Sequence, residues 1–284
     1  MQVPSEFAVL LLVSFVVSFA NEISHGRYLG PALVCLTAAL ATLAWRFLSR
    51  TRGQVVATGG RHPLYLSLMW CALASMPVTA LLDPKILAHP HMSLAVLRGL
   101  EVASFVLLFT YLPFLGGERE SQFVRHARFA AFGAVTLFAG VAIIHISPAP
   151  GIDVWDVQMQ GAKTLLRGEN PYSAVSVPAT TPDHAFASVP YVYAPGALYA
   201  GVIGLLVGGD VRYAMLIAVL IAGVSLRIVA RKSAGGARSV AASLIEDAPA
   251  LFVWLMPPLA FVIELSWTDP VQLMLICTAV AAVV

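Results

Sequence analysis

Long apolar runs, separated by shorter polar and charged segments, follow one another along most of the chain. A helix needs about 20 apolar residues to cross roughly 30 Å of hydrocarbon. Eight runs approach that length, at about 4–20, 29–48, 63–82, 94–116, 129–147, 212–230, 248–267 and 269–284. The pattern predicts an all-α, polytopic transmembrane helical protein of about eight spans. The first run has neither a basic segment before it nor a clear cleavage site after it, so we expect a retained span and not a signal peptide.

Composition supports lipid as the solvent for most of this chain. Hydrophobic residues make up 59% of it and charged residues only 11%, and the mean hydropathy is +0.83. Soluble domains carry about 25% charged residues and could not hide this much apolar surface. The formal net charge of +2 gives no argument for a nucleic-acid partner. The three cysteines lie inside apolar runs, where they are expected to pack and not to form a disulfide framework.

The basic residues indicate which side of the membrane each connection faces. Eleven of the 17 Lys and Arg residues lie beside alternate connections: Arg46, Arg50, Arg52, Arg61, Arg119, Arg125, Arg128, Arg227, Arg231, Lys232 and Arg238. The positive-inside rule then places the N-terminus in the cytoplasm and the loop at 148–193 outside. We interpret the basic groups as anchors at the lipid headgroups.

A short apolar run at 195–208 interrupts the simple alternation. Fourteen residues reach only about 21 Å as a helix, and a full crossing would move Arg231 and Lys232 to the outside. We therefore predict a re-entrant or interfacial helix that belongs to the external loop, with a short full span as the alternative. The chain then divides into an N-terminal region of about five spans (1–147), an external module (148–211) and C-terminal spans (212–284).

The external loop carries the candidate chemistry. Asp153 is a natural N-cap for a helix from about Val154 to Arg167, with Gly168 as its stop and Asn170-Pro171-Tyr172 as a turn. Asp153 and Asp156 fall on one turn at the start of that helix, where a carboxylate could take a proton from a hydroxyl nucleophile. They could equally be a helix cap and a solvated side chain, because acidic residues are also stabilised at helix N-termini.

Several segments in and after this loop resemble a known family of enzymes. The run IDVWDVQMQGAKTLLRGENPY, followed by YVYAPG and GDVRYAMLIA, resembles the first external loop of GT-C glycosyltransferases, and in particular the bacterial polyprenol-phosphate-mannose-dependent mannosyltransferases. The matching residues are Asp153, Ala162, Leu165, Leu166, Gly168, Asn170, Pro171, Tyr172, Tyr193 and Pro195. The chain departs from the family at Ala194, where a Pro is usual, and in its five spans before the loop.

The resemblance implies a GT-C-like fold and transfer, with inversion, of a mannose-like hexose or a pentose. The donor would be a polyprenyl-phosphate sugar and the acceptor an external glycan or glycolipid, at a bacterial plasma membrane. Asp153 would be the general base with Asp156 as second choice, and neither a cofactor nor a metal is expected. Substrate binding is expected from Asn170, Tyr172, Tyr193 and Asp269, and phosphate binding from Arg212, Lys163, Arg167 or His184.

Several of these residues also have ordinary structural roles, and two further classes of function stay open. Asp269 before Pro270 is also an ordinary helix start, and cations or tyrosines at an interface are common without a ligand. A transporter or lipid flippase is the main functional alternative, favoured by Pro257-Pro258 within an apolar run, and a non-catalytic scaffold is a third. The sequence ends inside an apolar run, from which we expect a fragment with further spans downstream.

Overall fold

The computed structural model describes residues 63–82, 94–112, 119–150, 152–173, 190–233, 239–256 and 258–283. The predicted spans at about 4–20 and 29–48 lie outside these residues, as do His184 and the basic residues between the second and third predicted spans. The described chain is helical and contains no strand, apart from one isolated antiparallel bridge between Arg119 and Ser239. The predicted all-α class is therefore confirmed for these residues.

The helix bounds follow the apolar runs closely in most places. Within the described ranges the helices are α1 (Pro63–Leu82), α2 (Leu94–Phe109), α3 (Gln122–Ile146), α4 (Asp153–Leu166), α5 (Pro195–Gly208), α6 (Arg212–Ser233), α7 (Val240–Leu255), α8 (Pro258–Glu264) and α9 (Asp269–Val283). The predicted run at 248–267 is divided between α7 and α8. α7 ends at Leu255 and α8 begins at Pro258, and the sequence has prolines at 257 and 258, which lack the N–H that a continuous helix requires.

Two of the described helices, α3 with 25 residues and the part of α6 from Arg212 to Lys232 with 21, are long and apolar enough to cross a membrane. The apolar part of α1, together with α5 and α9, is shorter. Length and composition give weak support for a membrane location, because a buried helix of a soluble protein shares both features. The arrangement of about eight spans stays a prediction.

The described helices belong to two compact units, each assembled from separated parts of the chain. Of the described residues, the first unit comprises 63–82, 98–112, 119–132, 230–233 and 239–256, and the second 94–97, 133–150, 152–173, 190–229 and 258–283. The division into regions 1–147, 148–211 and 212–284 stays a prediction. The described residues of the predicted external module, 148–150, 152–173 and 190–211, lie in the second unit, together with most of α3 and α6.

Buried ion pairs in the first unit correct the interpretation of two basic residues as headgroup anchors. Because α3 begins at Gln122 and not near residue 129, Arg125 and Arg128 are helical. Arg128 pairs with Glu120, with 2.6 Å between Nη1 and Oε1, and Arg125 pairs with Glu246 of α7. All four side chains are at least nine-tenths buried, so these arginines bind protein carboxylates and not lipid headgroups.

In the second unit α4 packs against α5. Two apolar clusters join them: one of Val157, Tyr191 and Leu198, and one in which Met159 and Ala162 pack with Val211 and with Val202 and Leu205 of α5. The other side of α5 carries exposed apolar residues at helical spacing: Tyr199, Ile203, Leu206 and Val207. A helix with one packed face and one exposed apolar face suits the edge or the interior of a bilayer, although the choice between a re-entrant helix and a full span stays a prediction.

Close backbone contact between α5 and the start of α6 gives a first testable prediction. A Cβ at Gly204 would lie 2.6 Å from the Val211 carbonyl oxygen and 2.8 Å from the Ala214 nitrogen. We expect Gly204→Ala to lower the free energy of unfolding by about 1–3 kcal/mol, since backbone atoms must move. Gly196, also in α5, has open space around it, so Gly196→Ala is the matched control. Thermal unfolding in detergent measures both; equal unfolding temperatures would contradict the prediction.

Candidate functional site

The first turn of α4 places Asp153 and Asp156 at one end of the helix, but not as the sequence suggests. The N-cap is Ile152, in an extended conformation (φ −122°, ψ 138°), and Asp153 is the first helical residue. The Asp153 side chain is exposed, and its Oδ1 accepts a hydrogen bond of 2.8 Å from the Val154 N–H. The predicted N-cap role of Asp153 is therefore corrected by one residue. Its carboxylate faces solvent at the N-terminus of the helix, where a negative charge is stabilised.

The end of α4 confirms the predicted stop and turn. Gly168 has φ +78°, the left-handed conformation that glycine adopts without strain. The N–H of Gly168 donates to the Leu165 carbonyl (2.9 Å) and that of Glu169 to the Thr164 carbonyl (3.2 Å), which is a Schellman motif. These bonds end the helix and direct the chain into the turn that follows.

Asn170 has a local structural role in that turn. Its Oδ1 accepts from the Tyr172 N–H at 3.0 Å, and its carbonyl accepts from the Ser173 N–H at 3.2 Å. This is the way in which asparagine commonly stabilises a turn. The Tyr172 hydroxyl then donates to the Tyr193 carbonyl oxygen at 3.1 Å, which ties the turn to the segment that precedes α5.

A third tyrosine, Tyr191, joins Tyr172 and Tyr193 and was not predicted as a site residue. Its ring centroid lies 5.5 Å from that of Tyr172 and 5.6 Å from that of Tyr193, both in edge contacts. Tyr191 is 3% exposed and lies against Gly161, where a Cβ would overlap its ring. The alternation Tyr-Val-Tyr was a signal for this arrangement, because alternate residues of an extended segment share one side.

The negative charge of Asp153 affects the pKa of two neighbours, Asp156 and Tyr193. Burial, and then the negative charge of Asp153, raise the pKa of Asp156. The same two causes raise the pKa of Tyr193. Asp156 is partly buried, and its Oδ2 is buried without a hydrogen-bond donor among the described residues. Asp153 therefore lies close to a carboxyl group and a phenol whose pKa values are both raised by burial and by its own negative charge.

The raised pKa of Asp156 predicts a dependence of stability on pH. The folded protein binds this proton more tightly than the unfolded chain, so folding stability falls as pH rises from the ordinary carboxyl range through the raised pKa. We expect Asp156→Asn to raise the unfolding temperature at pH 7, with a gain that shrinks as pH falls to about 4. The gain should also be smaller when Asp153→Asn is already present. Equal gains at pH 4 and pH 7, measured by thermal unfolding, would contradict this.

Arg212 does not occupy the position expected of a phosphate ligand. It is 0% exposed and forms an ion pair with Asp210, with 2.7 Å between Nη2 and Oδ2. Its guanidinium also donates to the carbonyl oxygens of Ser147, Ile144 and Glu264. A buried guanidinium bound by protein acceptors cannot contact a lipid-linked phosphate, so the structure corrects this prediction.

The remaining predicted cations in the described chain, and Asp269, are accessible. Lys163 is exposed on α4, and Arg167 forms an exposed pair with Glu169 at 3.2 Å. Asp269 is the exposed first residue of α9, with the helix start that its Pro270 predicts. The structure thus brings together Asp153, Asp156, Tyr172 and Tyr193, while the predicted role of Asp269 in substrate binding stays a prediction.

Metal ligation has no candidate in the described part of the chain, where no group of three His, Cys, Asp or Glu residues is placed to hold an ion. Comparisons with protein-family models, with curated proteins and with solved structures each find no match. The relation to GT-C glycosyltransferases therefore rests on the resemblance of the loop alone, and what it implies is a proposal.

Proposed function

We propose that this protein is a membrane glycosyltransferase that transfers a mannose-like hexose or a pentose from a polyprenyl-phosphate donor to an external glycan or glycolipid. The observation that carries the proposal is the pair of carboxylates on the first turn of α4. Asp153 is exposed at the helix N-terminus, while Asp156 is partly buried with a raised pKa. Carboxyl groups whose environments differ in this way can divide proton-accepting and proton-holding roles.

In the proposed reaction Asp153 removes the proton from the acceptor hydroxyl as its oxygen attacks the anomeric carbon. The bond between that carbon and the phosphate oxygen breaks, and polyprenyl phosphate leaves with the electron pair. Attack from the face opposite the leaving group inverts the configuration. A positioned general base contributes about 10²- to 10⁴-fold to such a step. Asp153 is suited to this role because its carboxylate faces solvent.

The tyrosines beside Asp153 supply a surface suited to a sugar ring. Tyr172 is exposed and Tyr193 half-buried, and edge contacts with buried Tyr191 fix the orientation of both. A phenol combines an apolar ring face with a polar hydroxyl, and the raised pKa of Tyr193 keeps that hydroxyl available as a donor. Asn170 supports this surface through the turn and is assigned a positioning role.

The neighbouring helix supports a donor carried by lipid. The exposed apolar residues of α5 lie on a helix that packs directly against α4. A polyprenyl chain that contacts this face would remain in hydrocarbon while its phosphate lies at the water interface. Exposed Lys163 and Arg167 are the described cations that could neutralise the leaving phosphate. We place this module on the external face of a bacterial plasma membrane, with the N-terminus in the cytoplasm, on the positive-inside argument.

The direct test is a transfer assay with the purified protein in detergent or nanodiscs. Defined polyprenyl-phosphate mannose and pentose donors are supplied with a mixture of glycan and glycolipid acceptors. We expect stoichiometric release of polyprenyl phosphate and formation of glycosylated acceptor with inverted configuration, resolved by mass spectrometry and NMR. Absence of turnover with every donor would overturn the proposal.

A transporter or lipid flippase is the second candidate, favoured by polar groups buried among helices of the first unit. There the Tyr111 hydroxyl donates to Asp247 of α7 at 2.6 Å, close in sequence to the pair of Arg125 and Glu246. Ionisable residues inside membrane helices commonly mark transport pathways. Movement of a fluorescent polyprenyl phosphate across proteoliposomes, without sugar transfer, would favour this candidate over the enzyme.

A further inference from the structure

Arg212 binds the C-terminal ends of two helices at once. Its Nη1 donates to the Ser147 carbonyl oxygen just after α3 (2.7 Å) and to that of Glu264 at the end of α8 (3.4 Å). Its Nη2 donates to the carbonyl oxygen of Ile144 at 3.3 Å. The last carbonyls of a helix lack partners within it and carry partial negative charge. One guanidinium therefore donates hydrogen bonds and brings positive charge to carbonyl oxygens at both helix ends.

Asp210 connects this guanidinium to α4. Its Oδ1 and Oδ2 accept from Nε (3.0 Å) and Nη2 (2.7 Å) of Arg212 in a bidentate pair, and Oδ1 also accepts from the Arg212 backbone N–H at 2.9 Å. The same carboxylate accepts from Nε1 of Trp155, at 3.4 Å to Oδ1 and 3.3 Å to Oδ2. Trp155 lies in the first turn of α4, between Asp153 and Asp156.

We propose that the chain of contacts Trp155–Asp210–Arg212 is a positioning device that holds the first turn of α4, and with it the Asp153 carboxylate, against the ends of α3 and α8. The link from α3 to α4 is short and contains Pro148 and Pro150, so it supplies few backbone N–H groups for this purpose. Arg212 and Asp210 act through Trp155 and do not contact substrate. The catalytic part of this inference rests on the proposed transferase function, whereas the anchoring of α4 does not.

The mildest test is Trp155→Phe, which keeps a ring and removes the indole N–H. We expect hydrogen–deuterium exchange of the amides at 152–158 to become about tenfold faster, since local opening becomes easier. In the transfer assay kcat should fall about 10- to 100-fold with the donor KM unchanged, because the base is displaced and the donor contacts are not. Phe138→Leu is the control for an aromatic replacement in the same unit: Phe138 of α3 is 62% exposed, and both exchange and kcat should stay at wild-type values.

The two measurements separate the failure of the inference from that of the proposed function. Unchanged exchange at 152–158 in the Trp155→Phe protein would overturn the positioning role, whatever the activity. Faster exchange with wild-type kcat would also overturn it, because a displaced base must slow the reaction. A wild-type protein without any transfer activity would overturn the proposed function, and the exchange comparison would then decide the anchoring by itself.

Discussion

The Asp153→Asn protein is expected to lose sugar transfer while it keeps its fold. Asparagine is nearly isosteric with aspartate but cannot accept the acceptor's proton, so kcat should fall by about 10²- to 10⁴-fold. The side chain is exposed, and its hydrogen bond is local, to the Val154 N–H. Surface replacements of this kind usually change the free energy of unfolding by no more than about 0.5 kcal/mol.

Initial rates with a saturating polyprenyl-phosphate sugar, and thermal unfolding of the same preparations, measure this prediction. Glu169→Gln removes another exposed carboxylate from the same module and should leave kcat at the wild-type value. Asp156→Asn should slow transfer less than Asp153→Asn, since Asp156 is the partly buried member of the pair. Wild-type turnover by the Asp153→Asn protein would place the general base elsewhere and remove the central residue from the proposed mechanism.

Breaking the pair between Asp210 and Arg212 is expected to cause the largest loss of stability. Arg212 is 0% exposed, so Asp210→Asn leaves a buried guanidinium without its counter-charge. Removing one partner of a buried ion pair costs about 3–5 kcal/mol. Arg212→Lys keeps the charge but not the planar set of donors that serves two helix ends. It should therefore lower the free energy of unfolding, but by less than Arg212→Met does.

The matched control uses an exposed pair of the same charge types in the same module. Arg167 and Glu169 have side chains 55% and 60% exposed, and breaking such a pair costs less than about 1 kcal/mol. Chemical or thermal unfolding in detergent should thus separate Asp210→Asn clearly from Arg167→Met. The double replacement of Asp210 by Asn and Arg212 by Met should be less destabilising than the sum of the single changes. Equal effects at the two pairs would contradict the structural role given to Arg212.

The local structure of α4 was largely predictable from its sequence. Gly168 ends the helix because glycine tolerates the left-handed conformation at that position, and Asn170-Pro171-Tyr172 forms the expected turn. These features depend on residues within a few positions of one another, so the sequence carries them directly. The helix start was displaced by one residue, since Ile152 already has the extended N-cap conformation.

The roles of the arginines could not be predicted in the same way. Sequence position and sidedness made Arg125 and Arg128 headgroup anchors and Arg212 a phosphate ligand, yet all three are buried and paired with carboxylates. Whether an arginine finds a carboxylate inside the protein depends on which helices pack together, and one of these carboxylates, Glu246, is distant in sequence. Tyr191 was missed for the same reason, because its contact with Gly161 joins separate segments.

The sequence by itself determined the all-helical class, the apolar character of the helices, the end of α4 and the position of two carboxylates on its first turn. Propensity, proline and glycine geometry, and the 3.6-residue period are local properties, which is why they suffice for these features. Tertiary structure alone decided that Asp153 is exposed while Asp156 is partly buried. It also decided that three tyrosines meet beside them, and that Arg212 joins helix ends through hydrogen bonds. Burial and long-range pairing arise only when distant segments pack, and they set the chemistry that each side chain can perform.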